Sequence, residues 1–504
     1  MAVAAVEISD AIRERESSRV AIEIDSEDGG ERYPRRIMML VPHEPDEDPR
    51  VRWAIDLCRE IGRTDVLGFS WLVTPKPSRQ YDGRVFIERV FPYARGGSRG
   101  LSLFLQLLRA PTETILVSSK CRQLLRFLHI DRIVRPLLER RLASRKCSAR
   151  THSISMKVST KWGEMTNVLR RTWPSLMGFA SILSGMRVIY RTLLDRARAV
   201  SVVPQVVVCH DIYALVVGVK LKKLMGCSVI YDSHEVWPEA FLEEGGRLQR
   251  RVIAFIEGRA IRKADVVITV NPQIAHYLEQ QYRIKHVLSV PNAEPLKKDV
   301  EPSCARPITF PIKVLVQGRI VPGRGFEEFL SAWARVDDER VVLLVRAPIN
   351  DYFQRLCETH GDLISKGRVR IEEAVAEDQL VEAATQADIG VIPYRGPNLN
   401  HVFACPNKLS QYMQAGLMVL STSETEYVSQ VLSQYKCGLT YDASTPDSLK
   451  EVVQGLINNI PLLCILKENA YKATQAEFNW ANLSLPYRQA IEGLMAEEVS
   501  HRCP

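Results

Sequence analysis

None of the eleven cysteines stands in a Cys-x-x-Cys pair, and their odd number and scattered spacing exclude both a disulfide framework and a zinc site. Cysteine usage of this kind belongs to a reducing compartment, so a cytoplasmic location is expected. The N-terminal stretch MAVAAVEISD meets Glu7 and Asp10 before any hydrophobic region develops, so no secretory leader is expected. Long apolar runs are also missing. The longest, Trp173 to Met186, contains serines and glycines and stops at Arg187, too short to cross a bilayer. Aromatics make up only 7% of the chain.

What is present is hydrophobic content of 46% over 504 residues, enough for two α/β domains with a core each and some additional material. The net charge of +8 is unevenly placed: residues 101–200 hold 19 Lys+Arg against five Asp+Glu, which leaves the rest of the chain acidic. Within that segment, residues 120–142 set Leu124, Phe127, Leu128, Val134, Leu137 and Leu138 at helical spacing among arginines, with a kink expected at Pro136. Such a stretch can lie on an anionic membrane surface, or it can pack its apolar side on its own domain and leave its arginines in water. Few aromatics interleave with the basic residues, which argues against nucleic acid as a partner.

Along the chain, residues 1–34 carry charge without a stable period and are read as a mobile tail. Order is expected from RRIMMLV, a buried strand, followed by a helix from about Val51, a second strand in DVLGFSWLV, and then, past the basic segment, strands in QVVVCHD, VIYDSHE and ADVVITV separated by helical stretches. Prolines 295, 302, 307 and 311 mark a linker. The rhythm then restarts with IKVLVQG, RVVLLV, RVRIEEA, ADIGVIPY and LMVLST, each separated from the next by a polar or helical stretch. Alternation of this kind predicts parallel sheets covered by helices on both faces. The expected domains are 35–292, with a basic helical insertion over about 95–200, and 312–481, joined by the linker 293–311. A C-terminal helix and tail over 482–504 pack back across the hinge. Two such sheets, each binding ligands beyond the carboxyl ends of its strands, define a cleft between them.

Two loops of the second domain open at that edge. VQGRIVPGRGFEEF presents Gly318, Arg319, Gly323, Arg324 and Gly325, with glycines that let the backbone come close and arginines that can fork onto phosphate oxygens. CPNKLSQYMQAG starts a helix after Pro406, with Gly416 closing it. Its N–H groups at Asn407, Lys408 and Leu409 and the Lys408 charge suit an anion. A pyrophosphate between the two loops is the economical reading. Asp46-Glu47-Asp48 has the spacing of a metal-binding carboxylate pair but lies in the first loop of the other domain, so it is read as solvated loop or helix-start charge and no metal is assigned.

In their order and spacing, QVVVCHDIYAL, VIYDSHEVWPEAF, ADVVITVNPQIAHYL, VPNAEP, GRIVPGRGFEEFL and CPNKLSQYMQAGLMVLS resemble the group 1 or family 4 glycosyltransferases of GT-B fold. The resemblance runs from about Arg35 to Asp447, apart from the basic segment. It implies two Rossmann-like parallel-sheet domains facing a central cleft and sugar transfer from a nucleotide diphosphate sugar with retention, without an obligatory metal or other cofactor. The acceptor implied is a saccharide or a lipid-linked saccharide, the latter on the inner face of a membrane. The alternative is a catalytically silent module of the same fold that binds a nucleotide sugar or a partner transferase.

Carried over residue by residue, the resemblance places Arg319 and Arg324 on the donor pyrophosphate, Gly318 at its close approach, and Asn407, Lys408 and Leu409 around phosphate. It puts His210 near the reacting sugar and Asp211, His234 and Glu235 on the acceptor side. One departure stands out. Of a pair of glutamates common in this family, the places fall on Phe403 and Gln411, so the ribose partner is an uncharged amide with a weaker hydrogen bond to offer.

Overall fold

The computed structural model describes residues 35–70, 79–81, 83–90, 183–200, 202–240, 242–396 and 398–502. The tail expected over 1–34 and the basic stretch 120–142 lie outside the described residues.

Short runs of branched and unbranched aliphatics set the strands. β1 (Arg36–Val41) is RIMMLV with every residue after Arg36 buried, and β5 (Val206–His210) is buried along its whole length. Such continuous apolar runs are what a parallel sheet covered on both faces demands. Successive side chains point to opposite faces. Thus Met38, Leu40, Val207 and Cys209 join one core, and Ile37, Met39, Val206 and Val208 join another.

The first sheet adds β2 (Arg63–Phe69), β3 (Arg79–Tyr81), β4 (Val85–Val90), β6 (Ser228–Ser233), β7 (Val266–Thr269) and β8 (Leu288–Ser289), in the order β3-β4-β2-β1-β5-β6-β7-β8. All its pairings are parallel except β3 with β4. β3, β4 and the two-residue β8 had no counterpart in the sequence reading. The second sheet is β9 (Ile312–Gln317), β10 (Val341–Arg346), β11 (Val369–Glu372), β12 (Ile389–Ile392), β13 (Met418–Thr422) and β14 (Gly438–Tyr441), all parallel, in the order β11-β10-β9-β12-β13-β14. The molecule therefore has the two-sheet GT-B architecture.

The chain reverses its direction of travel across each sheet once, between β1 and β5 in the first and between β9 and β12 in the second. Loops that leave neighbouring strands toward opposite faces open a crevice there. The loops after β1, β5, β9 and β12 are therefore the ones to search.

The C-terminal helix, Leu485–Arg502, returns to the first sheet. Its Tyr487, Ile491 and Met495 share a core with Ile37 and Met39, and the Trp480 ring packs 5.5 Å from that of Trp53. Among the described residues no single helix is long and apolar enough to cross a membrane.

Candidate active site

In the second domain, the loop after β9 runs through Gly318, Gly323 and Gly325, all with φ between 75° and 95°, where a side chain would be strained. A Cβ at Gly325 would also strike the Pro393 carbonyl, so glycine seats this loop against the end of β12. Tyr394, just beyond β12, gathers the cations. Arg324 Cζ lies 5.6 Å and Lys408 Nζ 5.3 Å from the centroid of its ring, and Arg324 Nη1 donates to its hydroxyl at 3.4 Å. Burial alone would raise the phenol's pKa; the charges of Lys408 and Arg324 overcome it and bring the group below its ordinary value. Lys408 Nζ also lies 3.9 Å from where a Gly318 Cβ would be, which brings the two loops together. Arg319 extends into solvent from the same loop. Among the described residues, Arg319, Arg324 and Lys408 make no ion pair with a carboxylate.

The helix Asn407–Gln414 has Pro406 as its N-cap and no side chain capping it. Leu409 is fully buried and its N–H bonds to the Pro406 carbonyl at 3.0 Å, so it is a core residue and not a phosphate donor. The N–H groups of Asn407 and Lys408 remain. Gln411 also differs from expectation. It is buried, donates its amide to Glu294 Oε1 at 2.8 Å and accepts from Gln317 Nε2 at 3.4 Å. A carboxylate thus stands beside position 411 after all, supplied by the linker. Burial raises the pKa of Glu294 and the Gln411 hydrogen bond opposes the shift. Phe403 contributes its carbonyl, which accepts from Asn271 Nδ2 of the first domain at 2.5 Å.

In the first domain, the loops after β1, β5 and β6 bring His43, Asp48, His210, Asp211, Asp232 and His234 together. His234 Nδ1 is 3.4 Å from Asp48 and 3.9 Å from Asp211, and its Nε2 is 3.6 Å from Asp232. Burial works against a charged imidazole, yet Asp211, Asp232 and Asp48 overcome it and lift the pKa well above the ordinary value. These carboxylates favour the imidazolium form of His234. Its Nε2 lies 3.1 Å from His210 Nδ1, which must then accept and keep its own proton on Nε2. His210 is fully buried and neutral: burial, against the pull of Asp232 and helped by the His234 charge, lowers its pKa to about 3. Among the described residues its Nε2 has no hydrogen-bond partner although it is buried.

Beneath the two histidines, Arg50 grips Asp232 with Nε at 3.0 and 3.1 Å and Nη2 at 2.7 Å, both residues fully buried. Burial would raise the Asp232 pKa, but Arg50 and His234 hold it far below the carboxylate range. His210, Asp232 and His234 offer atoms within 4.8 Å of one another, the spacing of a metal centre. Asp232, however, already has both oxygens on Arg50 and the imidazoles bond to each other, so the set is an ion-paired network.

Asp46-Glu47-Asp48 corrects the sequence reading in part. Asp48 does cap a helix, Pro49–Ile61, by accepting from the Arg50 and Val51 N–H groups. It is not free in solvent, because His234 binds it and, against the effect of burial, keeps it well below the usual carboxylate range. Asp46 likewise pairs at 2.7 Å with the buried Arg89.

The two halves are joined. Arg50 Nη1 donates to Asn292 Oδ1 at 3.0 Å, and Asn292 Nδ2 donates to the Cys405 carbonyl at 3.1 Å, two residues before the Asn407 helix. Asn400 clasps Val236, accepting from its N–H at 2.6 Å, and Arg52 pairs with Glu377 at 2.9 Å. Asp211, in the left-handed region at φ 65°, is buried and accepts from the His234 N–H at 3.4 Å, so with His234 it belongs to the network. Glu235 keeps contact with solvent. The crowding around it still desolvates its carboxyl enough to raise its pKa, as does Asp211, while Arg324 of the other domain pulls it down.

Sequence reasoning brought forward Gly318, Arg324, Lys408 and His210, which the structure places at the two switch points. It missed Arg50, Asp232, Tyr394 and Glu294. The Arg50 signal was hidden, since an arginine in a first helical turn after Pro49 is ordinary until β6 is known to lie beneath it.

A family model for a glycosyl transferase 4-like domain matches residues 139–293, and one for glycosyl transferases group 1 matches residues 311–459. Together they cover more than half of the chain. An uncharacterized glycosyltransferase from Methanocaldococcus jannaschii is 22% identical over 249 residues, which are 46% of this chain and 60% of that protein's length. Among solved structures, sucrose-phosphate synthase from Thermosynechococcus elongatus superposes with a TM-score of 0.61 at 14% identity, covering 92% of this chain and all of the other. Anabaena HepE in complex with UDP and glucose gives 0.56 at 13% identity, covering 91% of this chain and all of HepE. Both are likenesses of fold.

Proposed function

This chain belongs to the group 1 glycosyltransferases of GT-B fold, and on that premise we propose that it moves a sugar from a nucleotide diphosphate sugar to a saccharide or lipid-linked saccharide, with retention of anomeric configuration. One observation carries the donor half of this reading. Among the described residues Arg319, Arg324 and Lys408 form no ion pair with a carboxylate, and the loop and helix that carry them, with the open Asn407 and Lys408 N–H groups, follow β9 and β12 at the crevice. Such a set of cations and N–H donors suits a diphosphate. HepE, which shares the fold, holds UDP and glucose.

As the bond between the anomeric carbon and the donor phosphate breaks, negative charge grows on the leaving diphosphate and the ring becomes oxocarbenium-like. Cations already in place stabilise that charge more in the transition state than before it. They also do what a divalent ion would do, so no obligatory metal is proposed. His210 Nε2–H donates to a hydroxyl of the bound sugar. Glu235, in reach of solvent and facing Arg324 across the cleft, serves the acceptor side, while His234 and Asp211 position His210. The clasp of Asn400 on Val236 holds the lobes together and keeps water from the donor.

A lipid-linked acceptor places the protein on the cytoplasmic face of a membrane. The second reading, a silent module, is favoured by Gln411, whose amide is already held by Glu294 and Gln317. Calorimetry with a panel of nucleotide sugars, followed by an assay for released nucleotide, separates the two. Binding with release supports transfer; binding without release on any acceptor supports the silent module. No binding at all ends both transfer and a silent module that holds a nucleotide sugar.

A further inference from the structure

Helix Leu242–Ile261 packs its inner side on the first domain through Ile253, Glu257, Ala260 and Ile261, with the buried Glu257 carboxylate accepting from Tyr231 and Tyr282 at 2.7 and 2.6 Å. Its outer side is different. Arg247, Arg251, Phe255 and Arg259 follow one another at four-residue spacing, all exposed, and Lys263 continues the row just past the helix end. Four residues bring side chains to the same face one turn apart. Phe255 is 62% exposed at the centre of this row, with the Arg259 guanidinium 5.5 Å from its ring centroid. Among the described residues none of the four cations forms an ion pair. The neighbouring helix Asp211–Met225 ends with exposed Lys223 and Leu224.

We propose that this face docks on an anionic lipid surface, with Phe255 entering the interface and Arg247, Arg251, Arg259 and Lys263 pairing with headgroup phosphates. Charge complementarity decides the occupant. A two-fold contact of this face with itself in a second copy would set like charges against one another. A partner's apolar groove would call for several apolar anchors at helical spacing, and this row has one. Nucleic acid in single strands would call for several stacking aromatics. An aromatic flanked by cations whose aliphatic stems bury while their charges stay at headgroup level is what an interface accommodates.

The proposal deepens the lipid-linked acceptor reading and rests on it for its place in the reaction, so donor release is measured alongside. The full chain is sedimented with phosphatidylcholine vesicles with and without phosphatidylglycerol. Wild type is expected to bind only the anionic vesicles and to leave them at high salt. Because each cation near such a surface contributes roughly fivefold, Arg251→Glu with Arg259→Glu is expected to lower partitioning at least ~tenfold. Phe255→Ser lowers it several-fold, and nucleotide release from soluble donor is unchanged in both variants. Absence of wild-type binding at low salt, equal binding to neutral vesicles, or unchanged binding in both variants would overturn the proposal. Loss of donor release in wild type would strike the transferase reading instead.

Discussion

The floor of the first domain and the rim of the second carry comparable amounts of charge and treat it in opposite ways. On the floor, Arg50 and His234 pair with Asp232, Asp48 and Asp211, two cations among three carboxylates, and among the described residues the buried His210 Nε2 has no partner. On the rim, Arg324 and Lys408 lie against the Tyr394 ring and Arg319 is exposed, and among the described residues none of the three pairs with a carboxylate. A region whose charges are mutually satisfied holds a geometry. A region whose cations pair with no carboxylate is free to meet an anion.

The sharpest way to break this contrast is to substitute Arg50. Arg50→Met leaves Asp232 buried without its partner and is expected to cost about 3–5 kcal/mol of stability, measured by urea unfolding. A wild-type midpoint would show that the floor is not held by this pair. Arg324→Ala and Lys408→Ala, in contrast, are expected to change stability by less than about 0.5 kcal/mol, since each removes an exposed or half-exposed cation. They should instead lower donor turnover at least ~tenfold each, because a charge-assisted hydrogen bond contributes about 1.5–3 kcal/mol. Variants that unfold easily and still release nucleotide normally would invert the comparison.

The smallest effect is one of pH. The folded pKa of His234 lies above its unfolded value, so its contribution to stability is complete below about pH 6.5 and fades as pH rises through the folded value. Asp48→Asn removes one of the carboxylates that raise it. The decline should then begin at lower pH, with a difference from wild type of about 1 kcal/mol near pH 8. Asp48's own contribution, present above about pH 3.9 and lost as pH falls through its depressed folded value, also disappears in the variant. Parallel stability curves for the two proteins between pH 5 and 9 would show that His234 is not held as a cation.

Much of this was legible before any coordinates. The rim could be read because glycines, arginines and a proline-led helix act through their own backbone and their immediate neighbours. Gly325, for example, sits against the end of β12 as a loop glycine would be expected to. Leu409 was misread because helix starts look alike until one knows which N–H the Pro406 carbonyl takes. Gln411 looked like a missing charge because Glu294, more than a hundred positions earlier in the chain, was not known to lie next to it.

The sequence by itself determined the alternating strands and helices, the restart after the prolines, and the glycine-rich loop and proline-led helix at the edge of the second sheet, since all of these depend on contacts within a few residues. Only the tertiary structure decided the floor. Arg50 and Asp232 are 182 positions apart, and His210 ends β5 while His234 lies just past the end of β6. Pairs of that kind form only once strand order has carried their loops to the same end of a sheet, and no local pattern records where distant segments will meet.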